Sequence, residues 1–442
     1  MQQRHLRNFY ILVITQTLSM LGSRMTSVAI SLQIFLTTGQ AAPLLLVSFF
    51  NELPAMLFNS LAGVWVDRWD RRWVMMLADA GQAVGSLLLM LSFLSGQFQL
   101  WHLYIIALMQ GVFAMFQEPA KSAVVTMLVP ENQRNRANAL QGMSHPLAGI
   151  LAPALAGLLF TMIGLAGIVF IDLLTFFVAV AAVYAMHIPR PPMSEEAHAA
   201  AGNFWRELAG GMRFLSVRPA LLGLVIYFTI MNFLLNGPLD LMIPYLVKIT
   251  GSETLTGLVL SAESLGGFIG AGLLVAYSSR IHRRINVIIP AMLMVSIMFL
   301  ILGTSHSPLV LALAVACLIG GLQIWTLFTS ILQAKSPPDL QGRVFSISNQ
   351  LGYLGATTSF LLIGPLVDHV VEPAVRTASW SVVAPLVGDQ AGAGIGLVLL
   401  VTGVIILTLT IVTFAIPAVR HLEINLPDYA AVPEETATAT AP

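Results

Sequence analysis

Long stretches of apolar residues recur along nearly the whole chain, and short polar segments separate them. A helix of about 20 apolar residues is long enough to cross the hydrocarbon core of a bilayer, which is roughly 30 Å thick. On this basis we predict twelve membrane-spanning helices. They lie near 10–37, 43–66, 73–95, 100–127, 137–160, 165–187, 219–247, 255–278, 286–304, 308–332, 344–367 and 393–417. The pattern therefore predicts an all-α integral membrane protein.

Composition agrees with this prediction. Of the 442 residues, 57% are hydrophobic and only 10% are charged, whereas about a quarter of the residues in a soluble domain carry a charge. The formal net charge of +0 gives no indication of a nucleic-acid partner. The single cysteine, Cys317, lies inside an apolar span, where we expect a packed thiol.

The distribution of basic residues predicts the orientation of the chain. Loops rich in lysine and arginine stay on the cytoplasmic side of a membrane. With the N-terminus in the cytoplasm, only Lys248 and Arg376 of the 21 basic residues fall on the outer side, and Arg24 falls within a span. Twelve spans place the C-terminus in the cytoplasm as well. We therefore expect a multi-pass protein of the cell membrane that functions as a monomer surrounded by membrane lipids.

Two sets of residues recur at constant offsets, which indicates an internal duplication. The repeats fall in the loop after the second span of each half, and in the loop and span after the fourth. Pro130, Arg136 and Gly157 match Pro337, Arg343 and Gly364 at an offset of 207, and Arg68, Arg71 and Arg72 match Arg280, Arg283 and Arg284 at an offset of 212. We predict two pseudo-symmetric bundles of six helices, as in transporters with parallel repeats.

This division predicts four regions: an N-terminal bundle at 1–187, a cytoplasmic linker at 188–218, a C-terminal bundle at 219–418 and a disordered cytoplasmic tail at 419–442. The linker contains "NFWRELAGGMRFL", which predicts an amphipathic helix on the inner membrane surface. Its apolar face is expected to carry Phe204, Leu208, Met212 and Leu215.

The loop after the second span is unusually charged for this chain. Its sequence "GVWVDRWDRR" resembles the Gly-x-x-x-Asp-Arg-x-Gly-Arg-Arg signature of the major facilitator superfamily, with Asp70 where that family usually has glycine. Asp67 can face the positive N-terminus of a helix in the other half. We therefore predict a cytoplasmic gate, a hypothesis that unchanged turnover in Asp67→Asn would contradict. The gate comprises Asp67, Arg68, Arg71 and Arg72, with Asp79 completing the cluster.

The resemblance extends over nearly the whole chain and points to the drug-exporting branch of that superfamily, which includes macrolide and siderophore exporters. The segments that carry it are 116–140, "LAGGMRFLSVRP" and "PYLV". In addition, "GILAPALAG" resembles the glycine-proline motif in the fifth span of antiporters, with Ala152 and Ala156 in place of glycines. Gly149, Pro153 and Gly157 share one helix face, and their spacing by itself predicts close packing against a neighbouring helix.

Ionisable residues within spans are costly, so each requires a partner or a function. The clearest are Arg24, Glu52, Asp172 and Glu263. Arg24 and Glu52 lie at similar depth in consecutive spans, so two interpretations stay open. They form a salt bridge, or Glu52 is the protonation site that exchanges a proton for a cationic substrate while Arg24 modulates the exchange.

For the remaining polar residues the sequence suggests more modest roles. Glu263 is a second candidate for binding a proton or cation in the central cavity. Asp172 is a further candidate for this cavity, or it is held by neighbouring polar side chains as a protonated hydrogen-bond donor. Glu118 and His145 lie nearer the inner side, where a helix–helix hydrogen bond is the favoured role. Candidate cavity residues are Gln16, Asn59, Asn232, Asn236, Gln323 and Trp325.

These observations favour a secondary transporter that exports amphiphilic or drug-like molecules in exchange for protons by alternating access. A lysolipid or lipid flippase and a siderophore exporter are the alternatives within this fold, followed by a small-solute importer and a membrane receptor. The sequence contains no Gly-x-x-x-x-Gly-Lys-Ser/Thr nucleotide motif, no His-Glu-x-x-His metal motif and no Gly-x-Ser-x-Gly nucleophile motif. We therefore expect no enzymatic activity, no cofactor and no metal, and the expected partners are the small substrate, protons and lipids.

Overall fold

The computed structural model describes residues 2–69, 71–129, 134–186, 204–426 and 428–429. Within these ranges some side chains are not described by the structure, among them those at 60–68 and 71–72. The structure is all-helical in the parts described, as the apolar pattern predicts.

The helices of the first half follow the predicted spans. They are α1 (Gln2–Thr38), α2 (Ala42–Arg68), α3 (Arg71–Leu94), α4 (Leu100–Leu128) and α5 (Arg134–Ala185). Helix α5 turns sharply at Gly164, whose φ of 65° and ψ of −174° are accessible essentially only to glycine. The two arms on either side of Gly164 correspond to the predicted fifth and sixth spans.

The second half begins with the linker helix and contains several interrupted helices. Its long elements are α6 (Phe204–Ser216), α7 (Pro219–Asp240), α8 (Met242–Thr250), α9 (Glu253–Tyr277), α10 (Ile285–Thr304), α11 (Pro308–Leu322), α12 (Trp325–Ala334), α13 (Pro338–Leu366) and α14 (Ala393–Ala415). Short helical turns connect α13 to α14 at Val367–Val371, Glu372–Ala374, Ala378–Val382 and Ala384–Val387, and two more follow α14 at Pro417–Arg420 and Leu422–Asn425.

Ten helical segments among the described residues are long and apolar enough to cross a membrane. One of them, Leu140–Ala185, contains the turn at Gly164 and therefore two arms. Helix α1 is not among the ten, although it runs along the whole first predicted span. Counting α1 and the two arms separately gives twelve, which is consistent with the number predicted.

The packing of the helices reproduces the predicted duplication. Within the first half, α1 packs against α5, α2 against α4, and α3 against both α4 and α5. Within the second half, α7 packs against α13, α9 against α11, and α10 against both α11 and α14. The halves meet along two seams, one between α5 and α9 and the other between α2 and α13. The two seams are equivalent in the six-plus-six repeat. The repeat superposes the second span on the eighth and the fifth on the eleventh, so it superposes one seam on the other.

The linker helix α6 is present where it was predicted, and it packs against the start of α13. A Cβ atom on Gly211 would lie 2.4 Å from the carbonyl oxygen of Arg343, so the two backbones touch. Phe214 and Leu215 are buried, whereas Met212 is 37% exposed. Of the predicted apolar face, Leu215 thus packs inside the protein and Met212 is exposed, while the side chains of Phe204 and Leu208 lie outside the described residues. The position of α6 on the membrane surface stays a prediction.

The first part of the tail is ordered, in contrast to the prediction of disorder throughout 419–442. Val419 and Leu422 are buried, and Leu422–Asn425 forms a helical turn. The buried amine of Lys335 donates to the carbonyl oxygen of Glu423 at 2.8 Å and pairs with Asp428 at 2.8 Å. A buried lysine requires such partners, and the tail supplies them. Positions 430–442 lie outside the described residues.

Candidate functional site

A polar cavity of about 360 Å³ is lined mainly by helices of the first half, with Asp240 and Phe360 contributed by the second half. We call it the acidic chamber, because three carboxylates line it: Glu52 from α2, Asp172 from α5 and Asp240 from α7. Serine, glutamine and asparagine side chains make up much of the remaining wall. Such a cavity within a membrane can hold water or a charged group that hydrocarbon would exclude.

Asp172 is held in the wall of this chamber by hydroxyl groups. The hydroxyls of Ser86 and Ser23 donate to its two carboxyl oxygens at 2.9 Å and 3.2 Å. Helix α1 approaches closely here, since a Cβ atom on Gly22 would lie 2.9 Å from the Asp172 Oδ1 atom. The structure thus places Asp172 among neighbouring polar side chains, as the sequence suggested.

Glu52 lies where the acidic chamber meets a second cavity. This aromatic chamber, of about 390 Å³, shares Glu52 and Phe360 with the first. Its other lining residues are Asn232, Asn236, Trp325, Asn349, Gly352, Tyr353 and Ala356. The predicted cavity residues Asn232, Asn236 and Trp325 therefore do line a cavity. A single partly buried carboxylate connects an acidic compartment with one of aromatic and amide character.

A third cavity of about 210 Å³ contains basic residues and is called here the basic chamber. Arg24, Lys121 and His145 line it together with Gln16. It shares Ser23, Ser27, Gln82 and Phe176 with the acidic chamber, so the three chambers are consecutive.

Asp79 is fully buried beside the basic chamber. The amides of Gln16 and Gln117 donate to its two carboxyl oxygens at 2.8 Å and 2.6 Å. Asp79 was predicted to belong to the gating cluster, but these partners belong to α1 and α4. The side chains of the other gating residues, Asp67, Arg68, Arg71 and Arg72, lie outside the described residues, as does that of Glu118.

Arg24 does not pair with Glu52, so the salt bridge considered above is wrong for this structure. Among the described residues no ion pair within 4 Å joins the two. Arg24 instead lies beside the seam between α5 and α9, near Ser264 of the other half, although no ion pair within 4 Å joins it to Glu263 among the described residues. Helical rise fixes the depth of a residue in the membrane but leaves open which neighbouring helix it faces. The seam between α5 and α9 brings Glu263 toward Arg24.

The predicted glycine-proline ridge of α5 lies on that seam. A Cβ atom on Gly149 would lie 2.3 Å from the hydroxyl of Ser264 and 3.1 Å from a guanidinium nitrogen of Arg24. Further along, a Cβ atom on Gly257 would lie 2.3 Å from the Pro153 carbonyl oxygen, and one on Gly157 would lie 2.5 Å from that of Glu253. The ridge therefore allows the two halves to touch at their backbones.

Asp240 is a site residue that the sequence analysis missed. The hydroxyl of Ser48, in the other half, donates to its carboxylate. Asp240 also interacts by charge with Glu52 and Glu263, so acidic residues of both halves are coupled through it. The signal was available, because Asp240 is an aspartate within the long apolar stretch 219–247.

A second missed carboxylate, Asp368, joins the halves at the end predicted to lie outside. Its two oxygens accept hydrogen bonds from the backbone N–H groups of Ala41 and Ala42 at 2.9 Å and 2.6 Å. Asp368 thus caps the start of α2 from the opposite half. Nearby, the Lys248 amine pairs with Glu372 at 2.9 Å and lies 5.7 Å from the ring centroid of Phe35.

No group of three or more His, Cys, Asp or Glu residues in the described part of the chain is arranged to hold a metal ion. The arrangement instead suits reversible binding of protons and of a polar or cationic solute. Buried carboxylates alternate with hydroxyl and amide donors, and aromatic rings lie on one side.

Comparisons with curated proteins identify efflux proteins as relatives. Macrolide efflux protein A of Streptococcus pyogenes is 27% identical over 367 residues, covering 82% of this chain and 90% of that protein. Macrolide efflux protein A of Enterococcus faecalis is 28% identical over 316 residues, covering 70% and 97%. The multidrug efflux pump Tap of Mycolicibacterium fortuitum is 25% identical over 360 residues, covering 78% and 86%.

Solved transporter structures share the fold at low sequence identity. A bacterial homolog of the human lysosomal transporter Spinster, in an inward-facing and unoccupied conformation, has a TM-score of 0.71 and 15% identity, covering 97% of this chain and 99% of that one. The nucleoside transporter NupG has a TM-score of 0.68 and 14% identity, covering 92% and 98%. The model of the Major Facilitator Superfamily matches residues 12–360. The chain therefore belongs to the Major Facilitator Superfamily of membrane transporters.

Proposed function

We propose that this protein exports cationic, amphiphilic, drug-like molecules across the cell membrane in exchange for protons. The observation that carries the proposal is the position of Glu52 at the junction of the acidic and aromatic chambers. A cation with an apolar body can place its charge near Glu52 and its apolar part against Trp325, Tyr353 and Phe360. The macrolide and multidrug efflux proteins among the relatives support this class of substrate.

Exchange follows because a proton and the cationic substrate compete for the carboxylate of Glu52. Partial burial disfavours the ionised form of a carboxyl group, whereas a bound cation stabilises it. Glu52 therefore holds either a proton or the charge of the substrate. The nearby charge of Asp240 strengthens this competition, because two ionised carboxylates at close range repel each other unless a cation is present.

Alternating access requires the two halves to move relative to each other about the chambers. The halves meet along two seams, and Asp368 fastens the end that the sequence predicts to be outside. Opening this end and closing the other would expose Glu52 to each side in turn. The predicted gate at Asp67 would close the inner side in this cycle.

The test is uphill transport of a lipophilic cationic dye in proteoliposomes under an imposed pH gradient. The native protein is expected to accumulate dye against its gradient. Glu52→Gln keeps the shape of the side chain but cannot exchange a proton, so it is expected only to equalise the dye concentration across the membrane. Asp389→Asn provides a matched control, because Asp389 is exposed and lines none of the three chambers.

Accumulation by Glu52→Gln equal to that of the native protein would contradict proton coupling through Glu52. Native protein that moves dye only down its gradient would contradict antiport altogether. If the native protein moves no dye but translocates lysolipid or a siderophore, the drug-export proposal fails and one of the alternatives replaces it.

A further inference from the structure

An apolar groove of about 590 Å³ lies between α9, α10 and α11 in the second half. Its volume falls within the range of roughly 300–1,000 Å³ that is typical of ligand pockets. The groove shares no lining residue with the three chambers, so it is separate from the proposed transport site. Its wall is almost entirely apolar and includes Ile269, Leu273, Val287, Met294, Leu313 and Cys317.

The groove opens on the face of α9 that is turned away from the first half. On one face of α9, Gly257 and Ser264 contact α5. On another, Gly266 and Gly270 contact the backbone of α11, where added Cβ atoms would lie 2.0 Å and 2.3 Å from carbonyl oxygens. Because small residues occupy this contact, no side chains fill the space above it. Leu273 and Leu313 are more than half exposed there, so the groove faces the surrounding lipid.

One end of the groove reaches a cluster of basic residues. Tyr277 and Ile281 line that end, and the guanidinium carbon of Arg280 lies 5.5 Å from the ring centroid of Tyr277. Arg280 and Arg283 are exposed, and the connecting segment 278–284 contains no acidic residue. This segment is predicted to lie at the cytoplasmic surface, where arginines attract anionic lipid headgroups and tyrosine favours the interface.

We propose that this groove is a binding site for an anionic phospholipid. An acyl tail occupies the apolar groove, and the phosphate is bound by Arg280 and Arg283 at its inner end. Arg284 contributes less, because it interacts with Glu423 at 3.8 Å. The combination of a deep apolar groove and a charged mouth distinguishes this site from the general lipid surface, which offers acyl contacts alone.

Cys317 allows a direct test, because it is the only cysteine of the chain and lines the groove. The prediction of a packed thiol was wrong, since Cys317 is exposed. The experiment measures the rate at which N-ethylmaleimide labels the full-length protein in detergent as phosphatidylglycerol is added. A bound tail shields the thiol, so labelling is expected to slow by about tenfold when the lipid is near tenfold above its dissociation constant. Phosphatidylcholine, with the same tails, is expected to have little effect at that concentration.

The variant Arg280→Gln/Arg283→Gln is expected to lose the response to phosphatidylglycerol, whereas Arg420→Gln, at another exposed arginine, retains it. Native mass spectrometry of the same samples measures lipid retention independently and confirms that each variant is intact. Equal protection of the Cys317 thiol by both lipids would show that the groove only makes the acyl contacts of the general lipid surface. That result would overturn the proposal. No protection, or protection that survives removal of both arginines, would also overturn it, as would equal protection by glycerol phosphate without tails.

Discussion

The two seams that join the halves are related by the duplication, yet they are fastened in different ways. At the offset of 207 residues, Gly157 on the α5–α9 seam corresponds to Gly364 on the α2–α13 seam. Both allow backbone contact, since a Cβ atom on Gly157 would lie 3.2 Å from the Cα of Gly257 and one on Gly364 would lie 2.7 Å from that of Ala42. The ancestral close approach is thus present twice.

The difference lies one helical turn further on. Asp368 caps the start of α2 across the α2–α13 seam, but its counterpart at the same offset is Thr161. The hydroxyl of Thr161 donates to the carbonyl oxygen of Leu158 in its own helix at 2.7 Å. The α5–α9 seam is therefore held by backbone packing and by one long hydrogen bond, from the Thr254 hydroxyl to the Gly157 carbonyl oxygen at 3.4 Å. The α2–α13 seam is held in addition by two shorter hydrogen bonds to a carboxylate, which water can replace.

This asymmetry suggests a division of roles between the seams. Close packing between glycine backbones does not depend on whether water reaches the contact. The α5–α9 seam is therefore suited to remain in contact as the halves move. Hydrogen bonds to a carboxylate can be exchanged for hydrogen bonds to water at moderate cost, so the α2–α13 seam is suited to open.

The largest effect is expected when the packed seam is forced apart. Gly257→Val places side-chain atoms where the Pro153 carbonyl oxygen already lies 2.3 Å from an ideal Cβ, and the backbone cannot move away cheaply. Dye transport in proteoliposomes is expected to fall by about 100-fold or more. Gly272→Val in the same helix is the control, because a Cβ atom there meets nothing within 4 Å. Native transport by Gly257→Val would show that this seam does not need to close.

An intermediate effect is expected when the cap is removed. Asp368→Ala deletes the acceptor of two backbone N–H groups, and each charge-assisted hydrogen bond contributes about 1.5–3 kcal/mol. Water can bind the freed N–H groups, so the net loss is expected to be smaller than the sum for two such bonds, about 1.4–2.7 kcal/mol, and the equilibrium between closed and open outer ends should shift by about 10- to 100-fold. Pulsed EPR distances between labels at Gln40 and His369, on a Cys317→Ser background, measure that shift. Thr161→Ala is the matched variant, and an equal shift in it would abolish the distinction between the seams.

The smallest effect is expected at the ion pair beside the cap. The side chains of Lys248 and Glu372 are 20% and 23% exposed, and such pairs typically contribute about 0–1 kcal/mol. Lys248→Gln should therefore shift the same EPR distance distribution by less than about fivefold, with a still smaller shift at high salt. A shift as large as that of Asp368→Ala would mean that the charge of Lys248 near Phe35, and not the cap on α2, determines the equilibrium between the closed and open outer ends.

Much of the fold could be predicted because the underlying signals are local. The apolar stretches predicted helices that the structure shows within several residues of the predicted bounds, and the spacing of Gly149, Pro153 and Gly157 predicted a close contact with a neighbouring helix, which is α9. In each case the information lies within one helix.

The errors concern contacts between distant parts of the chain. A salt bridge between Arg24 and Glu52 was one of two interpretations, based on depth alone, but the rotation of each helix places the guanidinium of Arg24 beside the seam with the other half. Asp240 and Asp368 bind groups 192 and more than 300 residues away, Ser48 and the N–H groups that start α2. Backbone N–H groups do not depend on residue type, so the sequence could not indicate that Asp368 caps the start of α2.

Gly164 gives the asymmetry a mechanical consequence. One residue connects the arm of α5 that forms the packed seam to the arm that carries Asp172. Because a Cβ atom on Gly164 would meet nothing within 4 Å and glycine has wide φ/ψ freedom, this residue can act as a hinge between the two arms. The acidic chamber can therefore change shape while the packed seam stays in contact.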